Sequence, residues 1–354
     1  MRNYLLDIIK LFLALFVVLG HTYILVIRNS PDQMLSLQNI AVDGFFIISG
    51  FFLARSTNKI QKEYRDDWTL FLKFNLHRYI RLFPEFFVSL ILSALVYYFA
   101  FDIKLFNLIL VNLIFISQIN TVNGVLNGSW FVSVLYYAGA LLSVILLFSK
   151  DSIKYSLIFI LTLFSFFFIY SYYGNLSLNQ YPLIADWLSI GWIKGLMDLG
   201  IGILTFSIVE ISNKSQIKLQ TRTALIMALI ALSFVLYSGI HFGLGRRDFL
   251  CLPGYAVLIY LCSIDQTQLV LKQISTQRWG GVLESLSYLS IPTYAWFLSH
   301  CLVIDLLLKF TNIKHLPSLV QIVLVIITSW ILAIILYKLS KLIRKLNIST
   351  ILFK

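Results

Sequence analysis

Apolar runs long enough to cross a bilayer follow one another along almost the whole chain, near residues 4–27, 37–54, 82–101, 104–119, 130–148, 154–173, 190–211, 223–240, 249–264, 288–308 and 317–339. About 20 apolar residues make a spanning helix, and only helices and closed barrels satisfy their backbone in lipid. These runs are continuous rather than alternating, so they predict helices. Charged residues make up 12% of the chain, about half the share of a soluble domain. The expected fold is all-α and polytopic, with no sizeable soluble domain: one membrane domain over residues 1–345 and a short cytoplasmic tail over 346–354. The first run lacks a small-residue cleavage site and reads as a true span rather than a cleaved signal.

Loop charges orient the helices. The linker 55–81 carries Arg55, Lys59, Lys62, Arg65, Lys73, Arg78 and Arg81, which predicts a cytoplasmic location because cytoplasmic loops are enriched in Lys and Arg. Basic residues at 149–154, 212–222 and 265–284 and in the terminal stretch KLSKLIRKLN agree, so both termini are expected inside. Three full spans between residues 82 and 148 break this alternation. The weakest is 104–119, which contains Asn107, Asn112 and Gln118. About ten spans are therefore expected, or eleven if that run crosses; otherwise it is partial, interfacial or packed at the outer face. The net charge of +12 is a membrane-surface signature here, and no nucleic-acid partner is expected.

Ionisable residues inside spans are costly and mark functional sites. The first run, YLLDIIKLFLALFVVLGHTYILVI, holds Asp7, Lys10 and His21. Eleven residues separate Lys10 from His21, about three turns, so the two share a face roughly 16 Å apart along the axis. His21 could act as acid or base at neutral pH, or it could simply be a hydrogen-bonded packing residue. Arg78 and Arg81 lie one turn apart at the start of the third span, where two guanidinium groups suit phosphate; snorkelling to lipid headgroups is the alternative. Pro84 is expected in the first turn of that span, with Glu85 near the arginines.

Further polar candidates are Asp43 and Ser49 in VDGFFIISGFF, Asn127 and Trp130 in NGSWFVSVLYY, and Tyr294 and His300 in LSYLSIPTYAWFLSH. Asp198, Asp305 and the outer-loop cluster His241, Arg246 and Arg247 complete the set. Cys251, Cys262 and Cys301 show neither metal-ligand spacing nor a disulfide framework. They read as small buried hydrophobes, and no metal is expected.

Taken in order, these motifs resemble the membrane acyltransferase 3 family, over essentially the whole chain. The carriers are Lys10, ten residues and His21; FFIISGF at residues 45–51; Arg78 and Arg81 followed by RLFP; NGSWFVSVLYY; and the serine–tyrosine stretch ending at His300. Leu135 stands where many members have Glu, and the fused hydrolase-like domain of one large subgroup is not matched. The resemblance implies an O-acyltransferase that takes an acyl group, acetyl by default, from cytoplasmic acyl-CoA. It passes that group to a hydroxyl of a cell-envelope or capsular polysaccharide, or of its lipid-linked precursor. It also implies a multi-pass protein of the bacterial inner membrane. Membrane lipid and a glycan acceptor are its partners, and a homo-oligomer is allowed.

On that reading His21 is base or nucleophile and Asp7 and Lys10 assist it. Arg78, Arg81 and Lys10 hold CoA, and Asp43, Ser49, Asn127, Trp130, Tyr294 and His300 face the acceptor. Two other classes fit the same polar residues: a proton-coupled transporter or flippase, and a non-catalytic partner in a glycan assembly complex. Inverted repeats are frequent in transporters, and none is visible in the sequence.

Overall fold

The computed structural model describes residues 3–27, 37–63, 68–103, 109–115, 128–176, 183–184, 188–240, 245–275 and 280–345. Thirteen α-helices account for most of them: α1 Tyr4–Thr22, α2 Leu37–Glu63, α3 Trp68–Phe101, α4 Ile109–Leu113, α5 Ser129–Phe148, α6 Asp151–Tyr172, α7 Gly191–Lys214, α8 Thr221–Ile240, α9 Cys251–Ser263, α10 Asp265–Ser275, α11 Gly280–Leu289, α12 Thr293–Phe310 and α13 Ser318–Lys345. A π-helical turn, Tyr23–Ile27, extends α1. A two-residue antiparallel ladder pairs Leu183 with Ser189 and Ile184 with Leu188. Among the described residues nine helices are long and apolar enough to span. The bent pair Arg246–Ser263 and Asp265–Leu271, broken by 60°, makes a tenth.

Of the run at 104–119 the structure describes residues 109–115, which are too short to span. They form the single turn α4 and the residues just after it. This turn is held against α3 and α5, because Tyr79 donates to the Leu113 carbonyl at 2.7 Å and Tyr137 to the Ile114 carbonyl at 2.7 Å. Tyr79 lies 22 residues before the end of α3, roughly 33 Å down the helix. Non-helical backbone at membrane depth requires polar partners from the protein, and the two tyrosine hydroxyls supply them. Phe115 is fully buried against Tyr79, Phe86 and Tyr136.

The long third helix also departs from expectation. It begins at Trp68, so Pro84 sits in its interior rather than in its first turn. The amphipathic stretch before the proline continues the helix beyond the apolar run, with Trp68 and Leu72 exposed.

Helices α2 and α7 form the central spine and, with α12, are the most enclosed of the spans. Small residues let their backbones touch: a Cβ at Gly50 would collide with the Leu199 carbonyl, and one at Gly202 with the Ile47 carbonyl. Helices α6, α8 and α13 are the least buried and turn large apolar side chains outward, among them Phe164, Leu229 and Ile331. Those surfaces are apolar enough to face lipid.

One end of the bundle is basic. The start of α1, the end of α2, the middle of the long α3 and the start of α12 meet there around one cavity. The end of α13 joins them through Arg344, whose Nη2 lies 2.8 Å from Glu85 Oε1. Glu85 thus pairs across the bundle, with Arg81 of its own helix also close enough to act on it.

Candidate active site

The two intramembrane histidines meet. His21, near the end of α1 away from the basic cavity, places Nδ1 3.0 Å from Nε2 of His300 on α12. Their ring centroids are 4.9 Å apart. The surrounding carbonyls set the proton positions, because a carbonyl only accepts. Nδ1 of His300 lies 2.8 Å from the Phe297 carbonyl, so it carries the hydrogen and Nε2 keeps a lone pair. Nδ1 of His21 lies 3.1 Å from the Val17 carbonyl and faces that lone pair. It too carries a hydrogen, shared between the two acceptors. Nε2 of His21 is left with an unshared lone pair, the requirement for a base or nucleophile. Cys301, next on α12, places Sγ 3.3 Å from His300 Nε2.

Aromatic rings wall this site. Phe297, one turn before His300, contacts Phe131 and Phe45 at centroid distances of 5.0 and 6.1 Å. Phe46 bridges from Phe131 to Trp130. The sequence runs FFIISGF and GSWF therefore converge on the helix that carries His300. Gly128 packs edge-on to Phe297, with no room for a Cβ. Trp130 is buried in this wall. Asn127 lies outside the described residues.

At the other end of the α1 stripe, Asn3, Asp7, Lys10, Phe52, Arg55, Arg81, Ser290, Ile291 and Thr293 line a cavity of about 390 Å³. Lys10 Nζ lies 3.0 Å from Asp7 Oδ1 and 4.9 Å above the Phe52 ring. Ser287 of α11 donates to the other Asp7 oxygen at 3.0 Å. Asn3 caps α1 and also donates to the Cys262 carbonyl at 2.9 Å, fixing where the helix starts. Three cations, Lys10, Arg55 and Arg81, face one carboxylate here, a balance that favours a polyanion. Between cavity and histidines the α1 face is closed by Leu13, Ala14 and Val17, all buried. Ser49 is half-buried on α2 between Phe45, near the histidines, and Phe52, over Lys10.

A sequence profile described as an acyltransferase domain matches residues 3–338. The chain belongs to the acyltransferase 3 family. No curated protein and no solved structure matches it. The many apolar helices and the family together make it a multi-pass membrane acyltransferase.

Other sequence candidates of this acyltransferase lie elsewhere. Arg78 shares a helix with Arg81 but turns toward α5: Nη2 donates to the Leu135 carbonyl at 2.9 Å and Nη1 to Asn75 Oδ1 at 3.0 Å and the Tyr136 carbonyl at 3.4 Å. It rests over the Tyr136 ring, and Gly139 leaves space for it. Its guanidinium thus ties α3 to α5 instead of lining the basic cavity, which Arg81 does. Asp43 is sealed in the spine, 2.6 Å from Lys194 Nζ with neither side chain accessible. Asp198 and Cys251 crowd the same pair. Tyr294 is half-buried, its ring packed against the core of the bundle. Asp305 accepts from Tyr97 at 2.6 Å.

Sequence reasoning missed Arg55 as a cavity residue, since it read as one loop charge among many. It also missed Lys194, although K-x-x-x-D at residues 194–198 places two charges on one face of a span. Cys251 and Cys301, read as apolar filler, each touch an ionisable group.

Proposed function

We propose that this acyltransferase takes an acyl group from acyl-CoA, acetyl being the simplest, at the basic cavity on the cytoplasmic face of the bacterial inner membrane. It delivers that group to a hydroxyl of an envelope or capsular polysaccharide, or of its lipid-linked precursor, at His21. The observation that carries the reading is the pairing of His21 with His300 on a helix whose other end opens into a cavity with three cations. Lys10, Arg55 and Arg81 hold the phosphates as charge-assisted donors. The thioester arm, long and narrow, is the part of such a donor able to cover the roughly 16 Å to the histidines. Leu13, Ala14 and Val17 separate to admit it.

At the histidines Nε2 of His21 removes the acceptor's proton as its oxygen attacks the thioester carbonyl. The tetrahedral intermediate collapses, the carbon–sulfur bond breaks, and the departing thiolate takes the proton back from His21. His300 works through His21 as a positioning residue: by accepting from Nδ1 it holds the tautomer that exposes Nε2 and shares the positive charge that develops. The alternative route, transient acylation of His21, uses the same lone pair. Mass analysis of envelope polysaccharide from cells carrying wild type or His21→Gln tests the proposal. Loss of one acyl mass from a sugar in the variant is expected. Retention of that mass at the wild-type level overturns it.

A further inference from the structure

The histidine pair has a third member that acyl transfer does not use. His21, His300 and Cys301 each bring one donor atom into a group whose atoms lie within 4.8 Å of one another. Two of the edges are short: 3.0 Å between the histidine nitrogens and 3.3 Å between Cys301 Sγ and His300 Nε2. A tetrahedral zinc ion with Zn–N near 2.05 Å and Zn–S near 2.3 Å requires edges of about 3.4 and 3.6 Å. Those two edges therefore open by only a few tenths of an ångström to admit the ion. The support around the ligands is also in place. His300 donates Nδ1–H to the Phe297 carbonyl, which fixes the ring with Nε2 facing inward, as metal-ligating histidines commonly require. His300 and Cys301 are buried and belong to one helix, whereas His21 comes from another and remains partly accessible. The site is thus closed on one side and reachable on the other.

We infer that His21, His300 and Cys301 bind one thiophilic divalent cation of the zinc class, and that the loaded protein cannot transfer acyl groups. The ligand set selects the cation: a thiolate with two imidazoles suits zinc and its neighbours and disfavours magnesium or calcium. Charge balance fits a low-dielectric setting, because the thiolate cancels half of the dication and a bound hydroxide at the open fourth position cancels the rest. The thiol proton and one proton of the bound water leave to the bulk solvent. The inhibitory half of the inference rests on the acyl-transfer reading. It holds whichever nitrogen His21 offers. Bound through Nε2, its lone pair is consumed. Bound through Nδ1, its remaining nitrogen carries the ring proton and cannot act as base.

The test uses the full chain, tag removed, in lipid nanodiscs after chelator treatment. Cobalt(II) is titrated as a spectroscopic substitute and zinc by calorimetry. One equivalent is expected to bind, with a thiolate-to-cobalt charge-transfer band in the near ultraviolet and intense four-coordinate visible bands. Cys301→Ser should lose the charge-transfer band, and His300→Gln should weaken zinc at least tenfold. His77→Asn, on α3 toward the basic end, should bind as wild type does. One equivalent of zinc should suppress acyl transfer, and EDTA should restore it. Absence of stoichiometric binding overturns the inference, and so does binding that Cys301→Ser and His300→Gln leave unchanged. Cobalt bound with the thiolate signature by a chain that transfers no acyl group under any condition would leave the metal site standing and remove the enzymatic reading.

Discussion

Replacing Lys194 with Met isolates the contribution of the charge buried in the spine. Lys194 Nζ sits 2.6 Å from Asp43 Oδ1, and neither side chain is accessible. The same ammonium donates to the Leu176 carbonyl at 3.1 Å, and Asp198 faces the pair. Methionine keeps the length and apolar stem but removes the cation, leaving two carboxyl groups in a dry pocket. Removing one partner of a buried pair costs about 3–5 kcal/mol. An independent bound comes from the escape route: an ordinary carboxylate takes up a proton at pH 7 for about 4 kcal/mol. The two figures agree, so Lys194→Met is expected to lower the unfolding midpoint by about 5 °C. Tryptophan fluorescence during heating in detergent reads this directly, since the chain has seven tryptophans. Adding Asp43→Asn to Lys194→Met removes the stranded charge and should recover about half of the loss. A single variant within about 2 °C of wild type, or a double variant no better than the single, refutes the account of Lys194 and Asp43 as a coupled pair.

His21→Gln should lower the rate of CoA release in an acyl-transfer assay by roughly 10²–10⁴-fold, with an unchanged melting curve; a smaller loss argues against His21 as base. Lys10→Gln and Arg81→Gln should each raise the donor KM about tenfold, as expected for a lost charge-assisted hydrogen bond, with little change in kcat. Arg78→Met should cost stability, about 2 kcal/mol for three hydrogen bonds lost, two of them between α3 and α5, whereas Arg81→Gln should leave the melting curve in place. Gly202→Leu forces a side chain into the Ile47 carbonyl and should abolish recovery of monodisperse protein on size-exclusion chromatography.

The spanning pattern was legible because lipid leaves a chain few options, and α1, α2, α5, α7 and α13 fall where hydropathy placed them. The single turn α4 was readable only as a conflict in loop charges, since its position depends on hydroxyls from Tyr79 and Tyr137 that no local pattern reveals. The α1 stripe was visible because helical periodicity relates Asp7, Lys10 and His21 within one segment. The meeting of His21 with His300, 279 positions apart, is a tertiary fact that motif order hinted at but spacing could not supply. The arginine pair shows the converse. Positions three apart predict one face, yet the roughly 60° between them sends Arg78 to α5 and Arg81 to the cavity. Asp43 stands out in the sequence but its partner Lys194 does not, because a lone acid in a span reads alike whether it meets a substrate or a lysine made much later.

That lateness has a consequence for how the protein is made. About 150 residues separate Asp43 from Lys194, and at roughly 5–20 residues per second a ribosome needs on the order of 10–30 s to synthesise them. Throughout that interval α2 waits in or beside the bilayer with its acid unmatched, while α7 is the helix whose backbone it must later touch. The first six helices therefore form no finished unit during synthesis. A nascent chain stalled before residue 191 should stay within reach of insertion chaperones and membrane proteases, and emergence of α7 is the event that ends this exposure.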